Sequence, residues 1–200
     1  MFVAFEGPEG GGKSTALRHL AERWQSRFPE VPLLCSREPG AGELGARIRE
    51  ILLHGTAMPA RSELFLFLAD RSAHVTQILK PHLAAGGAVF CDRYMDSTFV
   101  YQAIARGLDE GFVRTANDFA VEGLLPDLTL LFDLPVEVGL GRIKDKDRLD
   151  NEPIAFHQKV REGFLRLAAE NPSRYVVIDA SQSPEMILEA CWAAIESRRA

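Results

Sequence analysis

The sequence predicts a three-layer α/β fold, in which helices cover both faces of a five-stranded parallel sheet. Short apolar runs alternate with helical patterns along the 200 residues, and several runs are almost entirely apolar. Such runs are typical of parallel strands that are buried on both faces. A glycine-rich segment also separates the first apolar run from the first helical pattern. The predicted strands are Phe2–Phe5, Leu33–Ser36, Ala88–Cys91, Leu128–Phe132 and Tyr175–Ile178.

The first strand leads into a phosphate-binding motif. Residues 7 to 14 read Gly-Pro-Glu-Gly-Gly-Gly-Lys-Ser, which matches Gly, four free positions, Gly, Lys and Ser or Thr. Thr15 to Arg27 then has helical spacing, so the N–H groups of the turn and the helix N-terminus meet at one spot. We expect Lys13 to neutralise the β- and γ-phosphates of a nucleotide and the Ser14 hydroxyl to ligate Mg²⁺. The predicted nucleotide-binding residues are Gly7, Pro8, Glu9, Gly10, Gly11, Gly12, Lys13, Ser14 and Thr15.

Polar residues follow each of the five predicted strands. They are Glu6, Arg37, Asp92, Asp133 and Asp179. Ligands of doubly wound sheets bind beyond the carboxyl ends of the strands, so these side chains should converge on one rim. Helical spacing predicts further helices over Gly45–Leu53, Arg61–Ala85 and Ile154–Ala169.

Composition narrows the class of protein. A formal net charge of −5 argues against a general nucleic-acid surface. No run of eighteen apolar residues is present and a strand begins at residue 2, so we expect neither a membrane span nor a signal peptide. Cys35, Cys91 and Cys191 lie in or beside apolar stretches, which predicts reduced core residues of a cytoplasmic protein. The five histidines lack ligand spacing and are expected at the surface or in helix packing.

The phosphate-binding motif alone is shared by GTPases, motor ATPases and small-molecule kinases. The sequence has no Asn-Lys-x-Asp segment for guanine recognition, and motor domains are usually longer and more basic. A chain of 200 residues with several arginines on the predicted rim favours a small kinase that holds two anionic nucleotides head to head.

A more specific resemblance comes from the segment Asp92–Gln102, which begins Asp-Arg-Tyr and carries later Ser, Tyr and Gln positions. This segment resembles the Asp-Arg-Tyr region of the thymidylate kinase family. The other segments that resemble the family, in order along essentially the whole chain, are Phe5–Glu9, Ser36–Gly40, Leu66–Arg71, Asp147–Asp150 and Ile178–Ala180.

The resemblance implies a P-loop kinase that transfers the γ-phosphoryl group of ATP to dTMP, with Mg²⁺ as cofactor. It implies a single domain over residues 1–200, with the phosphate loop at residues 7–15 and a lid at about residues 142–152. It further implies that Arg93 binds the acceptor monophosphate and that Asp92, with Ser14, organises Mg²⁺. A guanidinium suits phosphate because it can donate two parallel hydrogen bonds.

The resemblance also assigns the acceptor contacts. Phe67 and Arg71 lie four residues apart on one helix face, and the family stacks the aromatic ring on thymine while the arginine donates to a base oxygen. Glu9 is implied to accept from the sugar 3′-hydroxyl, and Tyr101 to crowd the sugar 2′ position. The full set of implied substrate-binding residues is Glu9, Arg37, Phe67, Arg71, Arg93, Ser97, Thr98, Tyr101 and Gln102.

The lid is expected to supply a catalytic cation. Family members carry this cation either in the phosphate loop or in the lid, and the phosphate loop here has no base other than Lys13. The basic candidates between residues 142 and 148 are Arg142, Lys144, Lys146 and Arg148. The catalytic set that the resemblance implies is Lys13, Asp92, Arg93, Arg142 and Arg148.

The run Leu64–Leu68 makes its predicted helix apolar around the whole circumference. We expect a homodimer with this helix at or near its centre, as the resemblance also implies, and we expect Leu64 and Leu68 to face outward. The partners are otherwise small nucleotides. Two alternatives remain: a kinase for dUMP, UMP or CMP, and a non-catalytic nucleotide-dependent switch.

Overall fold

In the computed structural model, which describes residues 1–199, five parallel strands form one sheet in the order β2-β3-β1-β4-β5. The strands are β1 (Phe2–Glu6), β2 (Leu33–Arg37), β3 (Ala88–Asp92), β4 (Leu128–Asp133) and β5 (Tyr175–Asp179). The five-stranded prediction is confirmed. Each strand runs one residue beyond its predicted end, so the polar residue predicted to follow it is its last residue.

The apolar character of β1 follows from its central position. Val3 lies beside Phe90 of β3 and Leu128 of β4 in the parallel register. Val3 packs with the helices on one face of the sheet, whereas Phe2 and Ala4 pack on the other face. Alternate positions therefore bury in different layers, and a strand covered on both sides needs apolar residues throughout.

Nine α-helices surround the sheet in the described chain. They are α1 (Lys13–Arg27), α2 (Gly42–His54), α3 (Ala60–His74), α4 (Lys80–Ala84), α5 (Met95–Thr98), α6 (Glu110–Val121), α7 (Val136–Arg142), α8 (Ile154–Glu170) and α9 (Pro184–Arg199). The first face of the sheet is covered by α1 and α9, through Trp24 and Ile195. The opposite face is covered by α3, α8 and the segment after α5, which confirms the three layers.

Two π-helical segments interrupt the helices that border the rim. The helix predicted over Arg61–Ala85 is present, but α3 passes through the π-helical Val75–Leu79 before α4. A second π segment, Phe99–Ala105, continues α5. It carries Tyr101 and Gln102, and such segments often lie at functional sites.

Two sequence expectations about exposure are wrong. Leu64 is only 1% exposed and packs in the core with Val100, whereas Phe65 is 57% exposed; Leu68 is half-buried against the same cluster. Because the run Leu64–Leu68 is apolar around the whole circumference of the helix, the order of its residues does not show which side faces solvent. Cys35 is exposed because β2 is an edge strand, while Cys91 and Cys191 are buried as expected. None of the helices within residues 1–199 combines the length and apolar character needed to cross a bilayer.

Candidate active site

The phosphate loop joins the centre of the sheet to α1. Gly7 (φ 136°) and Gly10 (φ 70°) have backbone conformations that favour glycine. A Cβ at either position would also collide with backbone, at Phe132 and Gly139 respectively. Only glycine therefore permits this turn to lie against β4 and α7.

Lys13 lies inside the loop. Its Nζ donates to the carbonyl oxygens of Gly7 (3.0 Å) and Pro8 (2.6 Å). Burial, helped by the nearby positive charge of Arg93, lowers the pKa of Lys13 to about 8. The ammonium is thus held in a poorly solvated place where phosphate oxygens would replace the loop carbonyls as its acceptors.

Ser14 and Asp92 meet at the mouth of the loop. The Ser14 hydroxyl donates to the Asp92 carboxylate, which is brought there by the end of β3 beside β1. A hydroxyl and a carboxylate are the hard oxygen ligands that Mg²⁺ prefers, and Mg²⁺ usually takes its remaining ligands from water and phosphate. Among residues 1–199, no group of three or more His, Cys, Asp or Glu side chains could hold a metal ion alone, so an ion here would depend on the nucleotide.

Arg93 has an unusual backbone conformation immediately after β3. Its φ of 68° lies in the left-handed region, which costs a non-glycine residue about 1–2 kcal/mol. The guanidinium Nη1 donates to the Gly7 carbonyl and to Ser97 Oγ, each at 3.1 Å. Its Nη2 lies 3.3 Å from Glu9 Oε1. Strain of this kind persists where surrounding contacts fix it, often at functional sites.

Glu9 projects from the phosphate loop into a set of polar partners. Its Oε1 accepts from the Tyr101 hydroxyl, and its Oε2 lies 3.3 Å from Nδ1 of His157 in α8. Burial acts to raise the pKa of Glu9, but the His157 hydrogen bond and the charges of Arg93 and Lys13 outweigh it and lower the pKa to about 2. Glu9 is therefore ionised and held as a hydrogen-bond acceptor.

Two adjoining cavities open at this rim. The apolar cavity includes Leu53, Phe67 and Leu149 in its lining. All the predicted substrate-binding residues except Arg37 line it: Glu9, Phe67, Arg71, Arg93, Ser97, Thr98, Tyr101 and Gln102. The polar cavity is lined by Lys13, Ser14, Arg37 and Asp92 among others. Both are lined by Glu9, Glu38, Arg49, Arg93 and Asp150.

Arg71 lies on the wall of the apolar cavity, but its hydrogens are already used. It is 1% exposed and pairs with Glu38 (2.7 Å). It also donates to Thr98, Asn117 and the Tyr94 carbonyl. The bond from Arg71 to a base oxygen, which the resemblance implies, stays a prediction. Arg71 holds the wall together, and a bond to a base must share one of these hydrogens.

The other predicted base contacts lie around Arg71. Phe67 is half-buried, and it packs against the core of α2 with its ring at the cavity. Ser97 donates to Glu6 (2.6 Å) and accepts from Arg93. Gln102 is fully buried, and its Nε2 donates to Glu63 at 2.9 Å.

Two arginines that enter from β2 and α2 border the polar cavity. Arg37 is exposed at the end of β2. Arg49 is half-buried and donates to the Pro39 carbonyl at 2.8 Å. Burial, together with the charge of Arg37, lowers the pKa of Arg49. Their proximity to Arg93 concentrates positive charge between the two cavities, which suits a phosphate group.

The segment between α7 and α8 borders the apolar cavity. Its residues Asp147 and Asp150 form part of the cavity wall. Arg148 in this segment donates to the buried Glu63 and to the Leu52 carbonyl (2.8 Å). These contacts hold Arg148 against α2 and α3, and its catalytic role stays a prediction. Arg142 instead donates to the Gly10 carbonyl of the phosphate loop at 3.3 Å.

Comparisons with known proteins agree with this geometry. The family model described as "Thymidylate kinase" matches residues 5–190. The chain belongs to the thymidylate kinase family. A thymidylate kinase of Desulfovibrio desulfuricans is 48% identical, in an alignment that covers 98% of this chain and 95% of that protein. One from Synechococcus sp. is 47% identical over 99% of this chain and 95% of that protein.

A solved thymidylate kinase structure also resembles the chain. The crystal structure of thymidylate kinase from Ehrlichia chaffeensis matches with a TM-score of 0.80 and 31% sequence identity. The match covers 96% of this chain and 97% of that chain. The similarity therefore extends over the phosphate loop, the rim arginines and the lid segment together.

Three polar residues of this thymidylate kinase family member were missed by sequence reasoning. His157 contacts Glu9, His74 lies 2.8 Å from Glu38, and Glu63 binds three side chains in the interior. The two histidines were expected at the surface or in ordinary helix packing, and both are buried beside carboxylates. Their partners lie 148 and 36 residues away in the chain, so no local sequence pattern predicts these pairs.

Proposed function

We propose that the two cavities are the acceptor and donor sites of a dTMP kinase. The chain has the activity of its family: it phosphorylates dTMP to dTDP with ATP as the phosphoryl donor, a step in nucleotide biosynthesis. The assignment of the cavities rests on one observation, that they adjoin and share Glu9, Arg49 and Arg93. Direct phosphoryl transfer requires that the acceptor phosphate and the γ-phosphate of ATP lie next to each other.

The apolar cavity receives dTMP in this proposal. Phe67 stacks on the base, with Thr98 and Gln102 along its edge. Glu9 accepts from the 3′-hydroxyl, which is consistent with its ionised state and its fixed position. The Tyr101 ring is buried and lies 5.3 Å from the guanidinium carbon of Arg93. This distance supports a position for the ring beside the phosphate-bearing sugar of the nucleotide, where its bulk would disfavour a 2′-hydroxyl.

Three arginines bind the acceptor phosphate. Arg93 lies between the cavities and contacts the phosphate loop directly, and Arg37 and Arg49 approach from the other side. An acceptor phosphate near neutral pH is already mostly dianionic, so its oxygen attacks the γ-phosphorus in line without a general base. The bond between that phosphorus and the β–γ bridging oxygen breaks, and ADP leaves with the electron pair.

The polar cavity receives the ATP phosphates. Lys13 exchanges the carbonyls of Gly7 and Pro8 for phosphate oxygens, and the loop N–H groups supply further donors. We assign Ser14 and Asp92 as the residues that hold Mg²⁺ with the nucleotide. When bound, the ion would neutralise charge on the β- and γ-phosphates.

The lid brings one more positive charge. We assign this role to Arg142, because its guanidinium already contacts the Gly10 and Ala180 carbonyls at 3.3 and 3.2 Å. Lys144 and Lys146 are exposed farther along the segment. Arg148 anchors the far end through Glu63. Closure of this segment would exclude water from the phosphoryl group.

The test is an acceptor panel. Purified protein with ATP and Mg²⁺ should release ADP in a dTMP-dependent manner, faster than with UMP, CMP or dCMP. Lys13→Ala should abolish most of the release while the circular dichroism spectrum stays unchanged. Faster turnover of a ribonucleotide would assign another kinase activity, and binding without acceptor-dependent ADP release would indicate a nucleotide switch.

We also propose that the protein is a homodimer. Large apolar side chains are exposed on the neighbouring helices α3 and α6: Phe65 (57%), Phe112 (52%) and Phe119 (84%). Exposed aromatic side chains of this kind are typical of interaction surfaces.

We further propose a cytoplasmic location, which is supported by the free state of the three cysteines and by the nucleotide substrates.

Sedimentation at about 50 µM tests the dimer. The wild type should sediment as a dimer, and Phe65→Glu should sediment as a monomer because its charge would be buried without a partner. Met186→Glu is the matched control, since Met186 is 59% exposed on α9, away from this surface. A monomeric wild type, or a Phe65→Glu variant that remains dimeric, would contradict the proposal.

A further inference from the structure

The buried carboxylate of Glu63 joins three parts of the site: α3, the segment after α5 and the lid. It is 1% exposed and comes from the first turn of α3. It accepts from Gln102 Nε2 (2.9 Å), from Arg106 Nε (2.8 Å) and from Arg148 of the lid. Burial acts to raise its pKa, but the hydrogen bonds from Arg106 and Arg148 outweigh burial and lower the pKa. Glu63 is therefore an ionised side chain in the interior.

An ionised carboxylate decides which way the Gln102 amide points. The two ends of an amide have the same shape, and their assignment normally depends on the surrounding hydrogen bonds. A carboxylate can only accept, so the amide group that faces Glu63 must be the NH₂. The Gln102 oxygen then points away from Glu63 and remains available as an acceptor. Within residues 1–199 this buried Oε1 has no hydrogen-bond partner, and Gln102 lies on the wall of the apolar cavity.

We propose that Glu63 determines which class of base the acceptor site takes. By holding the NH₂ group of Gln102, it leaves that side chain only an accepting oxygen to offer a pyrimidine. The proposal rests on the proposed function, in which the apolar cavity receives the base. Glu63 is a positioning residue, since it acts through Gln102 and does not touch the substrate.

The selected bases are pyrimidines with a hydrogen on N3. Thymine and uracil have an N3–H that can donate to the Gln102 oxygen. Cytosine has a lone pair at N3, so two acceptors would face each other in a buried place with neither satisfied. Sites built to pair a specific polar group reject analogues that leave it unpaired by about 10⁴-fold.

Substitution of Glu63 by Gln tests this coupling. The neutral amide can present either its oxygen or its NH₂ to Gln102, so the Gln102 amide is free to turn. Arg106 keeps an ion pair with Glu152 at 2.8 Å, and Arg148 keeps the Leu52 carbonyl at 2.8 Å. The cations that neutralise Glu63 therefore retain partners, and the variant is expected to fold.

The measurement is kcat/KM for dTMP, dUMP and dCMP. In Glu63→Gln the preference for dTMP over dCMP should fall about 10- to 100-fold. The preference for dTMP over dUMP should stay within about twofold, because both bases carry N3–H and the same carbonyl at C4. Loss of the Arg148 contact would lower turnover of all three acceptors alike, so it cancels in the ratios.

Two further variants separate positioning from general support. Arg106→Gln removes a different partner of Glu63 and leaves the Gln102 bond in place, so its dTMP:dCMP ratio should match the wild type. Glu63→Asp keeps the charge that both arginines need but withdraws it from Gln102. It should lower the ratio too, and it replaces the Gln variant if that one does not fold.

An unchanged dTMP:dCMP ratio in the folded Glu63 variants would overturn the inference. An equal fall of the ratio in Arg106→Gln would also overturn it, because Glu63 would then be a structural support only. Failure of the wild type to phosphorylate dTMP is a separate result. It would refute the proposed function rather than the part played by Glu63.

Discussion

Replacement of Arg93 by glycine tests the phosphate-gripping role and the backbone strain together. Arg93→Gly removes the guanidinium that lies between the two cavities, and it leaves a residue that adopts a φ of 68° without strain. Arg93→Ala removes the same contacts but keeps most of the strain. A comparison of the two variants therefore separates the side chain from the backbone.

The contacts of Arg93 give the expected magnitudes. It donates two hydrogen bonds at 3.1 Å, to Gly7 and Ser97. Their loss costs about 3 kcal/mol, at about 1.5 kcal/mol for each bond from a charged group. Relief of the left-handed conformation returns about 1–2 kcal/mol in the glycine variant. Loss of one preorganised donor to the transition state lowers kcat about 10²- to 10³-fold.

The assays are coupled ADP release with dTMP and thermal unfolding of each variant. Both variants should lose kcat by that factor, and Arg93→Gly should melt about 2–4 °C above Arg93→Ala, the shift expected for about 1 kcal/mol in a chain of this size. Retention of more than about a tenth of the wild-type kcat by either variant would refute the phosphate role. A more stable alanine variant would refute the strain.

Three other perturbations probe neighbouring contacts. Tyr101→Ala should lower the preference for dTMP over ribothymidine monophosphate about 10- to 100-fold; an unmoved ratio would make the ring ordinary packing. Burial and the charge of Arg93 lower the pKa of Lys13 to about 8, so its charged form is lost as the pH rises through about 8. The value of kcat/KM for ATP should therefore fall in this range, while kcat stays level. A level kcat/KM up to about pH 10 would contradict the role of Lys13. His157→Asn keeps an N–H donor near the Nδ1 position and should leave KM for dTMP nearly unchanged, whereas His157→Ala should raise it about tenfold; equal KM values would separate His157 from Glu9.

The sheet could be predicted because each strand has a local sequence pattern. A strand covered on both faces is almost entirely apolar, as in β1 and β4, where Thr129 is the one polar residue before the strand end. Each strand then ends at a polar residue on the rim. The phosphate loop was predictable for a similar reason. Its glycines and Lys13 are adjacent in the chain, and their spacing is dictated by the phosphate they surround.

The interior of the site was less accessible to sequence reasoning because its contacts are long-range. Glu63 lies 39 residues from Gln102 and 85 from Arg148, and on sequence alone it is one more charged residue on a helix. Arg148 is a catalytic candidate because it belongs to a basic run, but the sequence does not indicate its contact with Glu63. The π segment that carries Tyr101 has no distinct local propensity.

Competition by a bisubstrate analogue, thymidine and adenosine joined through five phosphates, tests most directly the claim that the two cavities form one continuous site. If dTMP lies in the apolar cavity and ATP in the polar cavity, with Arg93 between them, one molecule fills both. Inhibition should then be competitive against ATP and also competitive against dTMP. Inhibition that is noncompetitive against either substrate would show that the analogue leaves that substrate's site open, and would contradict the account.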